Sequence, residues 1–499
     1  MSLDKLINDR KIIAVICNQF GDTGKGKYTD YFASHWADVI ARGTGGNNAG
    51  HTIILNGEEK IFHLLPAGIT YDADGKTTIL GNGMVIDLKS LNEELDELDQ
   101  QSMSYNNLKI SKDAHVVFPY HIEKDRANTS QENGGIGSTG RGIGPCYTDK
   151  IARRGITMGD LFDRQRLIRK LERSATHYPD QELDPEQIAN SLEPFSERIK
   201  PFVADTVSEM HRFINQGKKV LLEGAQGLLI SIEHGTYPFV TSSDCSLSGT
   251  ATGVGLSARD VDLPLGIIKF PFMTRVGAGP FPTEIGGRDS ESYCAKGLEH
   301  DIFYEAKEYL GMQIDLNEIR ELQANGNSEA LAEKRVGVVD HIRSSKDTLL
   351  DLANTESATS PIIQGAAMRL LAGEYGATTA RPRRIGWTDA IAARYARRIN
   401  GPYFILTKPD CLENIDEFRI CTGYRNGNDT TEFRKDEQSL RTVAPTYTSH
   451  KGYGNVRNVK EFENLPPSLK NAIVDFDKFT EGETLIVSTG PESEQTIVK

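Results

Sequence analysis

The sequence predicts an α/β fold: a mainly parallel central sheet flanked by helices. Three observations predict it. Short runs rich in β-branched residues alternate with stretches of helical spacing, the pattern of strands covered on both faces by helices. The 47 glycines gather in clusters just after those runs, where α/β proteins place ligand-binding turns. With 499 residues, 38% hydrophobic and 25% charged, the chain has apolar mass for a large core.

IIAVIC at 12 to 17 reads as a buried strand because it is short, continuous and mostly β-branched. A glycine-rich turn follows at 21 to 26, then a helix over 28 to 37. Further strands fit 217 to 224, 264 to 270 and 403 to 407, and helical spacing recurs at 161 to 174 and 388 to 399. Residues 286 to 373 differ in texture, with Ile302, Ala306, Tyr309 and Leu310, then Leu316, Ile319 and Leu322 at helical intervals and a break at Asn325–Gly326–Asn327. This segment reads as a helical insertion within one domain spanning 1 to 499. It is expected to form a surface excursion that packs on its own face or against a neighbouring subunit and carries no catalytic group.

Lys+Arg 57 against Asp+Glu 70 leaves a net charge of −13, which offers no general attraction to nucleic acid or anionic lipid. Apolar runs fall short of the ~20 residues that span a bilayer. The start MSLDKLINDR has no signal-peptide pattern, and the six cysteines lack C-x-x-C spacing. A cytoplasmic protein with free thiols is expected, and any phosphate ligand must be held by a local site.

GDTGKGK at 21 to 27 fits G-x-x-x-x-G-K directly after a strand. Its glycines, Gly21, Gly24 and Gly26, let backbone N–H groups converge on phosphate at a helix N-terminus, with Lys25 and Lys27 adding charge. Tyr28 stands where a standard loop has the Ser/Thr that holds magnesium. Asp22 is out of place beside phosphate unless it binds metal or works as a base. GTGGNNAGHTI at 43 to 53 presents Asn48, Gly50, His51 and Thr52 on a glycine-rich backbone. Residues 138 to 155 bring Thr139, Arg141, Arg153 and Arg154, donors suited to a phosphate monoester. EGAQG at 223 to 227 and HGTYPFVTSS at 234 to 243 offer Gln226 and Thr241 for a base edge or phosphate. Arg381, Arg383 and Arg384 crowd one loop, which suggests a carboxylate or phosphate clamp. In TKPD at 407 to 410, Lys408 can lie over a purine while Asp410 accepts from guanine N1–H and N2–H₂, donors that adenine lacks on that edge.

Taken in order, FGDTGKGK, GGNNAGHT, GNGMV, TGRGIGP-Y-DK-ARRG, EGAQG, HGTYPFVTSS, TRVGAGPFPTE, TT-R-RR-GW-D, TKPD and STGP resemble the adenylosuccinate synthetase family, GTP-dependent enzymes that join IMP to L-aspartate. The matches span almost the whole chain outside 286 to 373. Two departures stand out: Thr23 where the family usually has Glu, and TTARPRR in place of a more uniformly arginine-rich loop. A related phage synthetase acting on dGMP lacks the counterpart of Asp22.

The resemblance implies a P-loop-like GTP-binding architecture and the first committed step of AMP synthesis. In the family, the counterpart of Asp22 removes the N1 proton of IMP, and that of His51 helps transfer the γ-phosphoryl group of GTP to O6, giving a 6-phosphoryl intermediate that the aspartate amine displaces. Gln226 joins them as a catalytic candidate. GTP contacts are expected at Gly21, Thr23, Gly24, Lys25, Gly26, Lys27, Gly50, Thr52, Lys408, Asp410, Ser488 and Gly490. IMP contacts are expected at Asp22, Lys25, Asn48, Thr139, Gln226, Thr241, Arg381 and Arg153, the last from a neighbouring subunit, which implies a homodimer. Ala377, Thr378, Thr379, Arg381 and Arg383 are expected to bind aspartate. One Mg²⁺ is expected on the Asp22 carboxylate and the Gly50 carbonyl. An aspartate ligase acting on another purine nucleotide such as dGMP, or a GTP-binding homologue without catalysis, remain the alternatives.

Overall fold

The computed structural model describes residues 3–55, 58–129, 138–354, 360–376, 380–426, 428–430 and 432–499. Its centre is a ten-stranded sheet of β1 (Ile12–Cys17), β2 (Val39–Arg42), β3 (Thr77–Leu80), β4 (Leu108–Ser111), β5 (Val203–Ala204), β6 (Val220–Glu223), β7 (Leu263–Lys269), β8 (Tyr403–Thr407), β9 (Glu483–Ser488) and β10 (Thr496–Val498). The order across the sheet is β10-β9-β8-β7-β1-β6-β2-β3-β4-β5. Every neighbouring pair is parallel except β9 with β10. From β1 the chain runs outward to β5, returns to insert β6 beside β1, and then builds the other half. The direction of winding therefore reverses around β1, and a crevice opens there beyond the carboxyl ends of the strands.

All six residues of β1 are buried. Ile13 and Val15 meet Tyr28, Phe32 and Trp36 on one face, while Ile12, Ala14 and Ile16 meet Met210, Leu247 and Ala251 on the other. Two covered faces explain why the run is continuously apolar rather than alternating. The first helix after β1, Lys25–His35, begins three residues before the start the sequence suggests. Gly24, at φ 85°, takes the left-handed turn that lets the helix start at once. Helices Arg164–Ala175 and Ala390–Asn400 lie where helical spacing is predicted. A second, five-stranded sheet joins Arg384–Asp389 to Phe272–Arg275 and Glu417–Asn426, and the latter to Asn428–Thr430 and Ala444–Lys451. No helix among the described residues is long and apolar enough to cross a membrane.

Between 287 and 372 lie the helices Gly287–Ala295, Ile302–Leu310, Leu316–Ala324, Ser328–Ser344, Lys346–Ala353 and Pro361–Ala372. Asp301, Asp315 and Asn327 each cap a helix start by accepting from its first backbone N–H groups. The expectation that this segment packs on its own face is corrected: Ile302, Phe303, Ala306, Ile319, Val338 and Leu349 share one core with Phe270, Phe404 and Phe476 of the main body. The apolar stripe of Ile302–Leu310 also carries Glu305, fully buried. It binds Arg369 through contacts of 2.5 and 3.1 Å and accepts from the hydroxyl of Tyr375. The charged pair thus joins two helices of the segment, Ile302–Leu310 and Pro361–Ala372, and the Tyr375 hydroxyl links it to the chain that leads into the arginine loop.

Removing one partner of such a pair leaves an uncompensated buried charge at a cost of ~3–5 kcal/mol. Glu305→Ala is expected to lower stability by about that much, measured by urea titration, whereas Glu305→Leu combined with Arg369→Met is expected to recover most of the loss. Equal stability of wild type and Glu305→Ala contradicts the assignment.

Candidate functional site

The strands around the switch point hand over the motifs one by one. β1 leads into the phosphate loop, β2 into 43 to 51, β6 into Gln226, β8 into Lys408 and β9 into Thr489. Asp22, Gln226 and Lys408 sit just beyond strands with left-handed backbones, at φ 50°, 53° and 69°. Non-glycine residues in that region carry about 1–3 kcal/mol of strain each, and here the strain turns side chains into the crevice.

Three cavities open there. The first, about 430 Å³, is lined by Asn48, Thr139, Gln226 and Thr241, with Arg154, Phe239 and Val240. Gln226 Nε2 donates to the Asn48 carbonyl at 2.8 Å, and Asn48 Nδ2 donates to Thr241 Oγ1 at 3.3 Å. The second, about 630 Å³, contains Gly24, Lys27, Lys408, Asp410, Ser488 and Gly490. The third, about 290 Å³, holds Asp22, Thr23, Gly24, Lys25, Gly26, Lys27, Gly50, His51, Arg383 and Lys408. Gly24, Lys27 and Lys408 line both the second and the third, so these two are continuous at the phosphate loop.

Charge in the third cavity is organised around Glu374, which is fully buried. Its Oε2 lies 2.6 Å from Lys269 Nζ and 2.8 Å from Arg383 Nη1, and its Oε1 lies 3.6 Å from Lys408 Nζ. Arg383 reaches on to Asp22 Oδ2 at 2.9 Å. Burial pushes the Asp22 carboxyl up, but Arg383, Lys269 and Lys25 outweigh it and hold the group below its ordinary value. Burial lowers Lys269 to about 8 despite Glu374. It lowers Lys27 to about 7 against the pull of Asp410 and Glu492. Lys27 Nζ donates to Ser488 Oγ and to the carbonyls of Gly490 and Gln495 at 2.7, 2.8 and 2.9 Å. Lys25 Nζ donates to the Gln226 carbonyl at 2.8 Å.

His51 Nδ1 lies 2.5 Å from Glu223 Oε1, both side chains buried. Burial lowers the His51 pKa, opposed by Glu223, and Nε2 has no partner among the described residues. A buried imidazole anchored at one nitrogen and open at the other is oriented to meet a ligand.

Other predicted residues fall elsewhere. Gly21, at φ 97°, shapes the loop beside Gln226 and Val276 of the first cavity. Thr52 lies in the strand His51–Leu55, opposite Ile61. Ala377, Thr378 and Thr379 lie outside the described residues. Arg381 is exposed, lies against Gly297 and lines none of these three cavities. Arg153, at φ 60°, is exposed past the end of helix Ile143–Ile151. Arg141 donates to the Asn47 carbonyl. Arg384, read as part of the clamp, is instead buried against Glu284 at 2.9 and 2.5 Å. It opens a strand, where successive side chains point to opposite sides, so Arg383 faces the crevice and Arg384 the protein. Sequence reasoning missed Glu374, Lys269 and Glu223. Glu223 stands within the EGAQG motif, Lys269 is a lone charge inside the predicted strand 264 to 270, and Glu374 directly follows the helical segment.

A sequence model of the adenylosuccinate synthetase family matches residues 14–497. Similar curated proteins include an adenylosuccinate synthetase from Thermoanaerobacter sp., 36% identical over 97% of this chain and 98% of its own. Another, from Caldanaerobacter subterraneus subsp. tengcongensis, is 34% identical over 98% and 99%. Among solved structures, the fully ligated adenylosuccinate synthetase from Plasmodium falciparum aligns with a TM-score of 0.75 at 28% identity, covering 98% of this chain and all of the other. A succinoaminodeoxyadenylate synthetase from cyanophage S-2L, 18% identical with a TM-score of 0.51, shares the fold. With a family match over nearly its full length and relatives above 30% identity that it covers almost end to end, this chain belongs to the adenylosuccinate synthetase family.

Proposed function

We propose that this protein ligates IMP and L-aspartate at the expense of GTP, releasing GDP and phosphate, with IMP in the first cavity and GTP running from the second into the third. The observation that carries the reading is Asp22, an acid on a strained backbone inside a phosphate loop, paired with an arginine of the loop assigned to aspartate. Asp410, Lys408, Ser488 and Gly490 suit a guanine base. Asn48, Thr139, Gln226 and Thr241 suit the nucleotide monophosphate, and Arg383 suits the aspartate carboxylate.

In this scheme Asp22 takes the N1 proton of IMP as O6 attacks the γ-phosphorus of GTP, and GDP leaves. A carboxylate held below its usual pKa is a weak base at rest, so proton transfer is favourable only as the attack makes N1–H acidic. His51, held by Glu223, presents Nε2 to the transferring phosphoryl group, and Gln226 keeps the purine in register. The aspartate amine then displaces phosphate at C6, with Arg383 exchanging its bond to Asp22 for the substrate carboxylate. Magnesium fits the donor set: Asp22 and Gly50 line the same cavity, and a single carboxylate and a carbonyl completed by phosphates is how this ion is usually held. Asp22 and Gly50 would hold it, and it would offset phosphate charge. All six cysteines are free, which supports a reducing cytoplasm. Arg153 and the neighbouring Ile151, 78% exposed, support a homodimer in which Arg153 completes the partner's IMP cavity.

The direct test is phosphate release from GTP, expected only when IMP and aspartate are both present. Asp22→Asn is expected to lose about 10²- to 10⁴-fold in turnover while GTP affinity stays within a few-fold; retention of more than about a tenth of turnover rejects Asp22 as the base.

Mixing inactive Arg153→Ala with inactive Asp22→Asn is expected to restore part of the activity, because one hybrid site then carries both native residues. No recovery with heterodimers verified by mass spectrometry rejects the shared site.

Lys27, with its pKa lowered to about 7, is largely neutral above that pH in the free protein. Triphosphate charge favours its protonated form, so GTP binding takes up a proton and affinity falls as pH rises above about 7, by at most about tenfold per unit. Calorimetry in buffers of different ionisation enthalpy should detect the uptake, and Lys27→Met should abolish it.

A further inference from the structure

The second cavity has a wall that none of the family motifs supplies. Helix Ser328–Ser344, in the segment outside the resemblance, contributes Arg335, Val339, Ile342 and Arg343 to it. These positions recur at intervals of four, three and one, a single stripe along the helix. Val338, buried at 1% exposure, faces the shared core on the adjacent side. The helix is therefore fixed to the body by one face and presents another to the cavity.

Arg335 differs from its neighbours on that stripe. It lines the third cavity as well as the second, together with Gly24, Lys27 and Lys408. It is half-buried and makes no hydrogen bond or ion pair among the described residues, whereas Arg343 is paired with Asp340 at 3.1 Å. An unpaired guanidinium at the junction of a base-sized cavity and a phosphate loop lacks only an anion, and its planar fork matches phosphate oxygens.

We propose that Arg335 is a nucleotide-binding residue that contacts the phosphate chain of GTP where it passes from the second cavity to the third, so that the 286 to 373 segment closes over the nucleotide. The proposal rests on the assignment of GTP to these cavities. It adds a binding role to a segment expected to carry no catalytic group, and it leaves bond making to Asp22 and His51.

Arg335→Ala is expected to raise KM for GTP about tenfold, the usual size of one lost charge-assisted contact. kcat and the KM values for IMP and aspartate should stay within about twofold of wild type. Arg335→Glu should be worse and Arg335→Lys partly restored. Inhibition by guanosine, which carries no phosphate, should be unchanged in all three, and the loss in Arg335→Ala should shrink as salt screens the wild-type contact. The proposal is overturned if KM for GTP stays within about twofold in both Arg335→Ala and Arg335→Glu. It is also overturned if guanosine inhibition, KM for IMP and melting temperature all shift along with it, which is the signature of a structural role. Asp410→Asn separates the two levels: weaker GTP and guanosine binding there, with no effect at Arg335, removes this inference alone, whereas no effect on either ligand removes the cavity assignment too.

Discussion

The arrangement of the site depends on one buried carboxylate. Glu374 has no exposed surface, and a charge in that position is costly unless it is paired. Its partners come from three separate parts of the chain: Lys269 at the end of β7, Lys408 just past β8, and Arg383 at the far side of the arginine loop. Without it these three cations would face each other in a poorly solvated space. With it they are held at fixed positions around the phosphate loop, and Arg383 is aimed at Asp22. The backbone reinforces the arrangement, because Arg383 N–H donates to the Glu374 carbonyl at 3.0 Å, closing the base of the loop. One acidic side chain thus fixes cations that receive phosphate and that hold Asp22 below its ordinary value, although its own charge acts on Asp22 in the opposite direction.

A second buried carboxylate, Glu223, does similar work for His51 from the opposite side of β1. Glu374 and His51 line the same third cavity, so each acid steadies groups that face one space. Strain marks the same motifs. Of the eight non-glycine residues with positive φ among those described, Asp22, Arg153, Gln226, Ala380 and Lys408 belong to the sequence motifs, and a rigid sheet is what allows such turns to persist.

Much of this was legible in the sequence because it is local. Burial on both faces writes a continuous apolar run such as IIAVIC, and a phosphate loop writes three glycines, Gly21, Gly24 and Gly26, within six residues. The partnerships were not legible, because they join residues far apart in the chain: nothing near GEYG marks Glu374 as the mate of Lys269, and EGAQG reveals a turn without revealing that Glu223 will meet His51. Neighbouring arginines show the same limit. Arg383 and Arg384 are indistinguishable in composition, and only the alternation of a strand sends one to the crevice and the other to Glu284. The helices of 286 to 373 were readable from their spacing, but an amphipathic stripe states that a helix has an apolar side without naming the surface it covers. Here the stripe is interrupted by Glu305, whose pairing with Arg369 joins two helices of the segment, while Phe270, Phe404 and Phe476 supply the surface of the main body that the segment covers.

The three bonds from Lys27 to Ser488, Gly490 and Gln495, joined by that from Ser493 to Asp30, bind an early helix to a late stretch of chain. Parallel sheets are assembled from partners distant in sequence, and here the phosphate loop emerges from the ribosome long before the residues that brace it. At ~5–20 residues per second, some tens of seconds separate the two events. A nascent chain therefore carries a phosphate loop without its floor while the 461 positions from Lys27 to Ser488 are traversed. Ligand concentration in the cell then acts on molecules in which that later stretch has docked, rather than guiding the earlier folding of the sheet.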